Sequence, residues 1–267
     1  MPSTPPSDQF FQRHPWRLLV SPAESGPTNM AIDEALLART ARAEEGVLRV
    51  YRWRAPTLSL GRHQTARNVY DPSKAAALGV SLVRRMTGGR ALLHWREVTY
   101  SVTAPLGAEA LSESYAAING LLLDALRDLG IAVTIAKRSI RLPSPASAPC
   151  FELPAEGEIL FDGRKLVGSA QFRSETGLLQ HGSILIADDQ ALVSRLAARA
   201  VGDVAAAATL VQSLGREPDF DEVAGALTRA LALRTETPVT LFDVGELDAD
   251  VQKLSERYAS DAWTWLR

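Results

Sequence analysis

The sequence predicts a single domain of the α+β class, with most of its strands ahead of most of its helices. Strand-forming segments alternate with helical ones as far as Ile186, and the chain from about Asp189 onward is rich in Ala and Leu. Strands grouped before helices are typical of this class. No internal repeat and no convincing linker divides the chain, so residues 15–267 are predicted to form one domain with C-terminal helices from about residue 189. Residues 1–14, rich in Pro and Ser, are predicted to be a mobile tail.

Local patterns place the elements of this domain. Alternation or short runs of β-branched and aromatic residues predict strands, whereas capping residues and apolar residues at helical spacing predict helices. Strands are predicted at 16–20, 48–53, 57–60, 80–83, 97–104, 158–161, 164–167 and 178–186. Helices are predicted at 30–39, 72–78, 112–129, 191–200, 220–233 and 244–258. The strands at 48–53 and 57–60 are expected to form a pair, because only a short turn at Ala55-Pro56 separates them.

Composition excludes several classes of protein. The 267 residues are 46% hydrophobic, which is sufficient for a substantial core. A net charge of -2 and a pI near 6.1 argue against an extended nucleic-acid footprint. No apolar run approaches the roughly 18–20 residues of a membrane helix, and the N-terminal residues lack a signal-peptide pattern. With a single cysteine, which cannot form an intramolecular disulfide, the chain is expected in the cytoplasm.

The segment from Arg84 to His94, RRMTGGRALLH, is a candidate ligand loop between two strands. Its arginines carry charge, and Gly88 and Gly89 allow the backbone N–H groups to approach a ligand closely. A surface turn with solvated arginines is the alternative interpretation. The loop lacks the P-loop and GxGxxG patterns, so nothing independent indicates ATP binding. The histidines at 14, 63, 94 and 181 lack metal-ligand spacing, and no metal site is predicted.

The stretch from Cys150 to Ile186 holds the other candidate site residues. Asp162-Gly163 is typical of a type I′ turn, so a hairpin is predicted with Lys165 just past the turn. Cys150 lies in a proline-rich loop, an unfavourable place for an inert core residue, and a nucleophilic thiol needs a nearby cation such as Lys165. The small residues that suggest close ligand approach, and the strand residues that follow them, are Gly168, Ser169, Ala170, His181, Gly182 and Ser183.

Each of these residues also has a simpler interpretation. Free cysteines often just fill the core, and most lysines are solvated. His181 can be a hydrogen-bonded core histidine. The functional interpretation therefore depends on the residues occurring together.

Taken together, the motifs resemble the biotin/lipoate protein ligase superfamily and, within it, the cysteine-dependent octanoyltransferases of lipoate assembly. NMAIDEALL is similar to the first helix of that family, RVYRWRAPTLSLGRHQ to its first hairpin, and RRMTGGRALLHWREVTYSV to its ligand loop and following strand. GRKLVGSAQFR and LQHGSI complete the series, and PCFELP is similar to the segment that holds the nucleophile. The sequence departs from the family at Pro154-Ala155-Glu156-Gly157-Glu158, where serine and tyrosine are more usual.

The resemblance implies mixed or antiparallel sheets flanked by helices, and an acyltransferase domain with Cys150 and Lys165 as catalytic residues. It implies octanoyl transfer from acyl carrier protein, through a cysteine thioester, to a lysine of a lipoyl domain of 2-oxoacid dehydrogenases or of the glycine-cleavage H protein. No cofactor is implied, since the octanoyl-phosphopantetheine of the carrier is substrate, and a monomer is expected. The predicted substrate-binding residues are Arg84, Arg85, Thr87, Gly88, Gly89, His94, Gly168, Ser169, Ala170, Gln171, His181, Gly182 and Ser183.

Three other functions stay open from the sequence. An ATP-dependent lipoate-protein ligase would not need the cysteine. An amidotransferase that moves octanoyl between carrier proteins would use a similar cysteine with a different donor. A protein that binds a carrier without catalysis would keep only the fold.

Overall fold

The computed structural model describes residues 6–107, 110–136, 156–199 and 206–267, which form two sheets flanked by helices. The strands are β1 (Trp16–Val20), β2 (Gly46–Tyr51), β3 (Thr57–Leu60), β4 (Ser81–Arg84), β5 (Leu92–His94), β6 (Glu97–Pro105), β7 (Thr134–Ile135), β8 (Ile159–Phe161), β9 (Arg164–Arg173), β10 (Gly177–Leu185) and β11 (Thr240–Leu241). The helices are α1 (Pro6–Gln12), α2 (Gly26–Ala43), α3 (Pro72–Ala77), α4 (Leu111–Asp128), α5 (Ala191–Leu196), α6 (Leu210–Leu214), α7 (Phe220–Ala232), α8 (Asp248–Ala259) and α9 (Asp261–Thr264). The predicted α+β domain with mixed sheets and flanking helices is confirmed.

Across the described residues, the larger sheet has eight strands in the order β11-β1-β2-β6-β10-β9-β8-β7. Its β11, β1 and β2 are parallel, and the remaining pairs are antiparallel. The face of this sheet formed by Val50, Tyr100 and Val102 packs on α4 and α7 in the main hydrophobic core. The opposite face meets α2 and the smaller sheet, and it is there that the candidate site forms.

The smaller sheet contains β4, β3 and β5, with β3 central. The expected pairing of 48–53 with 57–60 is wrong, because β2 pairs with β1 and β6 of the larger sheet and β3 pairs with β4 and β5. Trp53 forms only an isolated bridge with Glu24. The turn between β2 and β3 therefore carries the chain from one sheet to the other, which sequence proximity alone does not indicate.

Local sequence signals fix one end of each of two helices. Helix α2 starts at Gly26, four residues before the predicted start, because Ser25 is its N-cap and accepts a hydrogen bond from the Thr28 N–H at 3.2 Å. Helix α4 matches the predicted long core helix, and Gly130 follows it with φ of 84°, a conformation that favours glycine. Both helices bury one side against the larger sheet.

The predicted mobile tail is in part ordered. Residues 6–12 form α1, and the Phe10 and Phe11 side chains are buried in the main core. The Trp16 indole N–H donates to the Phe11 carbonyl at 2.9 Å, which ties α1 to β1. The prediction relied on the Pro/Ser-rich composition of residues 1–14 and overlooked Phe10 and Phe11, which bury enough apolar surface to anchor the segment.

The predicted hairpin is present, with Asp162 and Gly163 both at positive φ in the turn between β8 and β9. The last predicted helix is divided into a short 3-10 turn at Val244–Leu247 and α8. Within the described ranges, the helices are all too short or too polar to cross a bilayer.

Candidate functional site

A cavity of about 50 Å³ opens where the larger sheet meets the smaller one. Its walls come from α2, from strands of both sheets and from the loop between β4 and β5. Among the described residues, the lining is Met30, Tyr51, Trp53, Arg85, Gly89, Leu92, His94, Thr99, Gly168, Ser169, Ala170, His181, Gly182 and Ser183. Nine of the thirteen predicted substrate-binding residues lie in this set. Their roles toward substrate remain predictions.

Gly182 allows strands β9 and β10 to approach closely beside the cavity. A Cβ atom there would lie 2.4 Å from the Gly168 carbonyl oxygen and 2.8 Å from the Tyr100 ring. Real Cβ atoms do not approach a backbone oxygen so closely, and both neighbours are held in the sheet. Glycine at 182 is therefore required by packing, which gives the small residues predicted at this point a structural reason.

A second close approach shapes the Arg84–Arg90 loop, which we call the glycine loop. A Cβ atom on Gly61 would lie 2.0 Å from the Gly89 carbonyl oxygen. The Arg62 N–H also donates to the Thr87 carbonyl at 2.8 Å. The segment after β3 thus supports the glycine loop from outside and holds Gly89 against the cavity.

Arg85 fills the interior of the glycine loop. Its Nη2 donates to the carbonyls of Gly88 at 2.8 Å and Arg90 at 2.7 Å. Its Nη1 donates to Ser59 Oγ at 2.9 Å, and its Nε donates to Thr87 Oγ1 at 3.2 Å. Because one planar guanidinium makes all these bonds, Arg85 determines the shape of the loop as well as lining the cavity.

From Thr87 the hydrogen bonds continue across the cavity wall. Thr87 Oγ1 lies 2.7 Å from His181 Nε2, and His181 Nδ1 lies 3.0 Å from Asp33 Oδ2. Since an ionised Asp33 carboxylate can only accept, His181 carries its proton on Nδ1 and donates it there. His181 Nε2 then accepts from the Thr87 hydroxyl, which itself accepts from Arg85.

Asp33 is buried and surrounded by donors. Arg49 Nη1 donates to it at 2.8 Å, Ser101 Oγ at 2.8 Å and Tyr51 OH at 3.0 Å. Burial alone would raise the pKa of Asp33, but the Arg49 charge and the hydrogen bonds from His181 and Ser101 lower it below its usual value. Burial lowers the pKa of His181, although Asp33 acts in the opposite direction. The pair is therefore an ionised carboxylate beside a neutral imidazole.

A second series of hydrogen bonds starts from the other side of the Arg85 guanidinium. Ser59 Oγ accepts from Arg85 and lies 2.7 Å from His94 Nε2, and His94 Nδ1 lies 2.7 Å from Glu97 Oε1. The same oxygen of Glu97 also accepts from Thr99 at 2.6 Å and Ser183 at 2.8 Å. Arg85 thus connects two series of hydrogen bonds, each of which runs through a hydroxyl and a histidine to a buried carboxylate.

The His94 ring forms part of the apolar wall as well. It stacks on the Trp53 indole with ring centroids 4.0 Å apart and planes at 15°. The Trp53 N–H donates to Thr99 Oγ1 at 2.8 Å, which fixes the plane of the indole. The cavity is consequently bounded by rigid aromatic surface on the side of the smaller sheet.

Arg84 is not brought to the cavity. It is fully buried and donates to the carbonyls of Gly61 at 2.6 Å, Gln64 at 2.8 Å and Thr264 at 3.0 Å. The Trp263 indole N–H donates back to the Arg84 carbonyl at 2.8 Å. The prediction that Arg84 binds substrate does not fit this position, because its donors hold the main chain of the 61–64 segment and the C-terminal segment.

Three other predicted binding residues do not line the cavity. Thr87 and Gly88 belong to the bonding pattern of the glycine loop described above. Gln171 lies on the opposite face of the sheet, where its side-chain amide is 2.9 Å from that of Gln180. Gln180 in turn donates to Tyr100 OH at 2.8 Å, so Gln171 belongs to a polar cluster under α4.

Lys165 is buried and ion-paired. Its Nζ donates to Glu158 Oε1 at 2.6 Å, and the two side chains are 2% and 6% exposed. The pairing of β8 with β9 is irregular at this point, because Ile159 is opposite Val167 whereas Leu160 is opposite Lys165. Lys165 is not among the described residues that line the cavity. Cys150 lies outside the described residues, so its closeness to Lys165 stays a prediction.

Several residues of the site were not predicted from the sequence. The lining includes Met30, Tyr51, Trp53, Leu92 and Thr99, and the buried carboxylates behind it are Asp33 and Glu97. The sequence does contain one signal for Asp33 and Glu97, because an acidic residue within an apolar helix or strand pattern indicates a buried charge. The others resemble ordinary core residues in the sequence, and only the meeting of the two sheets exposes them to a cavity.

A mixed sheet with a glycine loop over an apolar, histidine-lined cavity defines the class of protein as a small-ligand-binding α+β enzyme domain. Residues 25–232 match the family model described as the lipoyl protein ligase A/B catalytic domain. This chain belongs to that family, which confirms the superfamily inferred from its motifs.

Relatives and solved structures agree with this assignment. The chain is 38% identical to the octanoyltransferase LipM of Kyrpidia tusciae over 272 residues, which cover 94% of this chain and 98% of that protein. It is 46% identical to the LipM of Carboxydothermus hydrogenoformans over 179 residues, which cover 65% and 66% of the two chains. A lipoate-protein ligase A bound with ATP shares the fold, with a TM-score of 0.77 at 20% identity over 94% of this chain and 98% of the other. The lipoate protein ligase of Thermoplasma acidophilum has a TM-score of 0.74 at 20% identity, over 95% and 98%.

Proposed function

We propose that this chain transfers an octanoyl group from octanoyl-acyl carrier protein to a lysine amine of a lipoyl domain or of the glycine-cleavage H protein. The chain is an acyltransferase, and one observation carries the assignment of octanoyl as the group transferred. Proteins named as octanoyltransferases match it across 94% of its length and nearly all of theirs. The donor, the cysteine intermediate and the acceptors are proposals that rest on the sequence motifs.

The cavity supports an acyl substrate. Met30, Trp53 and Leu92 present apolar surface, and burying each methylene of an alkyl chain contributes about 0.8 kcal/mol. The polar groups of Arg85, His94 and His181 already bond to the hydroxyls of Thr87 and Ser59, and the two histidines also bond to buried carboxylates, so these groups shape the wall. The proposed octanoyl chain lies in this cavity with its carbonyl end toward the Gly168 strand.

The proposed reaction has two transfers. The Cys150 thiolate attacks the carbonyl carbon of the carrier thioester, a new C–S bond forms, and the bond to the phosphopantetheine sulfur breaks. The released carrier thiolate takes up a proton. The ε-amine of the acceptor lysine then attacks the octanoyl-cysteine, a C–N bond forms, the amine loses a proton, and the Cys150 thiolate is regenerated. An amide is more stable than a thioester, so the second transfer needs no ATP.

Lys165 supplies the charge in this proposal. An ammonium close to a thiol favours the thiolate, and it also stabilises negative charge on the carbonyl oxygen in the transition state. Removing one such donor typically lowers a rate by about 10²- to 10³-fold. We therefore expect Lys165→Ala to slow acylation by that factor and Cys150→Ala to abolish it.

The deciding experiment measures the intact mass of the protein after incubation with octanoyl-acyl carrier protein in the absence of ATP. The parent chain is expected to gain one octanoyl group that hydroxylamine removes, and Cys150→Ala is expected to gain none. An ATP-dependent ligase would instead give no adduct, and would modify a lipoyl domain only when ATP and free octanoate or lipoate are present. That second result would overturn the transferase proposal.

A further inference from the structure

The ion pair of Glu158 and Lys165 lies in an unusual place for two charges. Both side chains are almost fully buried, and the Nζ to Oε1 distance is 2.6 Å. A lysine buried without a carboxylate loses its proton readily, because the apolar surroundings disfavour the charged form. The carboxylate of Glu158 is therefore a group that favours the charged form of Lys165.

The main chain around Glu158 is held firmly against its neighbours. The Asn119 side chain on α4 donates to the Gly157 carbonyl at 2.7 Å, and the Ala136 N–H donates to the Glu158 carbonyl at 2.8 Å. Gly157 adopts φ of 86° and passes so close to the Tyr115 ring that an added Cβ would lie 3.1 Å from it. Since these contacts fix the backbone on both sides of the carboxylate, Glu158 presents its oxygen to Lys165 in one direction.

Two tyrosines near the pair, among the described residues, have raised pKa values. Burial raises the pKa of Tyr115 on α4, and the Glu158 charge adds to that shift. Burial likewise raises the pKa of Tyr100 on β6 above its usual value. The charge on Lys165 is thus favoured by its ion pair with Glu158.

We propose that Glu158 is a positioning residue that holds the Lys165 ammonium protonated and directed for the reaction. The role of the lysine in catalysis rests on the proposed function, whereas the charge on the lysine does not. A third group thereby joins the two catalytic residues proposed from the sequence.

The charge on Lys165 can be measured directly. The chain has four lysines, Lys74, Lys137, Lys165 and Lys253, so labelling lysine with ¹³C at the ε carbon gives a spectrum simple enough to titrate. A Lys165→Arg variant assigns the resonance. We expect Lys165 in the parent chain to titrate at or above the ordinary value of about 10.4, and Glu158→Gln to lower its pKa by about one unit or more.

Glu156→Gln is the matched control, because Glu156 is exposed and only two residues away. Its Lys165 resonance should titrate as in the parent chain. An unchanged Lys165 pKa in Glu158→Gln, or a parent value already well below 10, would overturn the proposal. If Glu158→Gln does not fold, Glu158→Met decides instead, because it removes the charge and keeps a side chain of similar length: a lowered Lys165 pKa supports the proposal and an unchanged pKa overturns it.

The effect on the reaction is measured separately, as the rate of octanoyl adduct formation between pH 6 and 9. We expect Glu158→Gln to slow adduct formation by about tenfold or more at pH 7, with Glu158→Asp recovering part of the rate. A shifted lysine pKa with an unchanged rate would overturn the positioning role. Absence of any adduct on the parent chain would overturn the transferase proposal, and the lysine titration would still decide whether Glu158 maintains the charge.

Discussion

Thr87 Oγ1 lies 2.7 Å from His181 Nε2, and this contact joins the glycine loop to the central strands of the larger sheet. The hydroxyl also accepts from Arg85, so a single threonine connects the arginine inside the loop to the histidine in the cavity wall. Arg85 makes the corresponding connection through Ser59 to His94. A single guanidinium therefore connects both series of hydrogen bonds and holds the two sheets together around the cavity.

The first prediction concerns this junction. Thr87→Val leaves His181 and the Arg85 Nε without the shared hydroxyl, and an unsatisfied buried polar group costs about 1–3 kcal/mol. We expect the free energy of unfolding in urea to fall by that amount, together with slower octanoyl adduct formation. Thr87→Ser keeps the hydroxyl and should behave nearly as the parent chain. If Thr87→Ser loses as much as Thr87→Val, the methyl group and not the hydrogen bond is responsible.

The second prediction concerns pH. The pKa of Asp33 in the folded chain is lowered, so the carboxylate stabilises the fold above its unfolded pKa of about 3.9 and loses this effect as the pH falls through the folded value. We expect stability to drop in acid with a steeper slope in the parent chain than in Asp33→Asn, by at most about 1.4 kcal/mol per pH unit.

Asp33→Asn should also destabilise the fold at neutral pH, by about 3–5 kcal/mol, because it leaves the Arg49 charge buried and uncompensated. Urea unfolding from pH 3 to 8 measures both effects. Glu222→Gln, which removes an exposed ion pair with Arg216, is the control and should change little. Parallel pH curves for Asp33→Asn and the parent chain would contradict this account.

The third prediction concerns the C-terminal segment. Arg84→Met removes the donors that hold the carbonyls of Gly61, Gln64 and Thr264. We expect the free energy of unfolding to fall by about 3 kcal/mol. Amide hydrogen exchange should also accelerate at Ala66, whose N–H donates to the Arg267 carbonyl. Arg84→Lys should not restore stability, since an ammonium lacks the planar fork of donors.

Arg67→Met is the control for Arg84. Arg67 also donates to a carbonyl of the C-terminal segment, that of Trp265 at 2.7 Å, but it does so from an exposed position. Its replacement is expected to have a much smaller effect. If both variants lose the same free energy of unfolding, the buried contacts of Arg84 stabilise the C-terminal segment no more than the exposed contact of Arg67, and the prediction is wrong.

The fourth prediction concerns the length of the acyl chain. Met30 is buried in the cavity wall, so Met30→Ala enlarges the space available to a substrate. We expect decanoyl-acyl carrier protein to compete better against the octanoyl form, since each buried methylene contributes about 0.8 kcal/mol. Intact-mass competition with both donors measures the ratio. Leu36→Ala, at a buried side chain of the same helix outside the cavity lining, should leave the ratio unchanged.

The sequence predicted the site in its outline because glycine and histidine positions carry information locally. The Asp162-Gly163 turn placed Lys165, and the glycine pair at 88–89 placed the loop, since turn conformations depend on neighbouring residues. Arg84 and Arg85 show the limit of such reasoning. They are adjacent and chemically identical, yet consecutive residues at the end of β4 point in different directions, so one reaches the cavity and the other reaches the C-terminal segment.

What the sequence by itself determined was the family, the α+β class, most of the helices and strands, and most of the histidine and small residues that line the cavity. Tertiary structure alone decided that β2 and β3 belong to different sheets, that Phe10 and Phe11 enter the core, and that Asp33 stands behind His181. The physical reason is range: secondary structure follows from propensities and spacing within a few residues. Asp33 meets His181, which is 148 residues away in the sequence. Such a contact depends on which surfaces bury the most apolar area together.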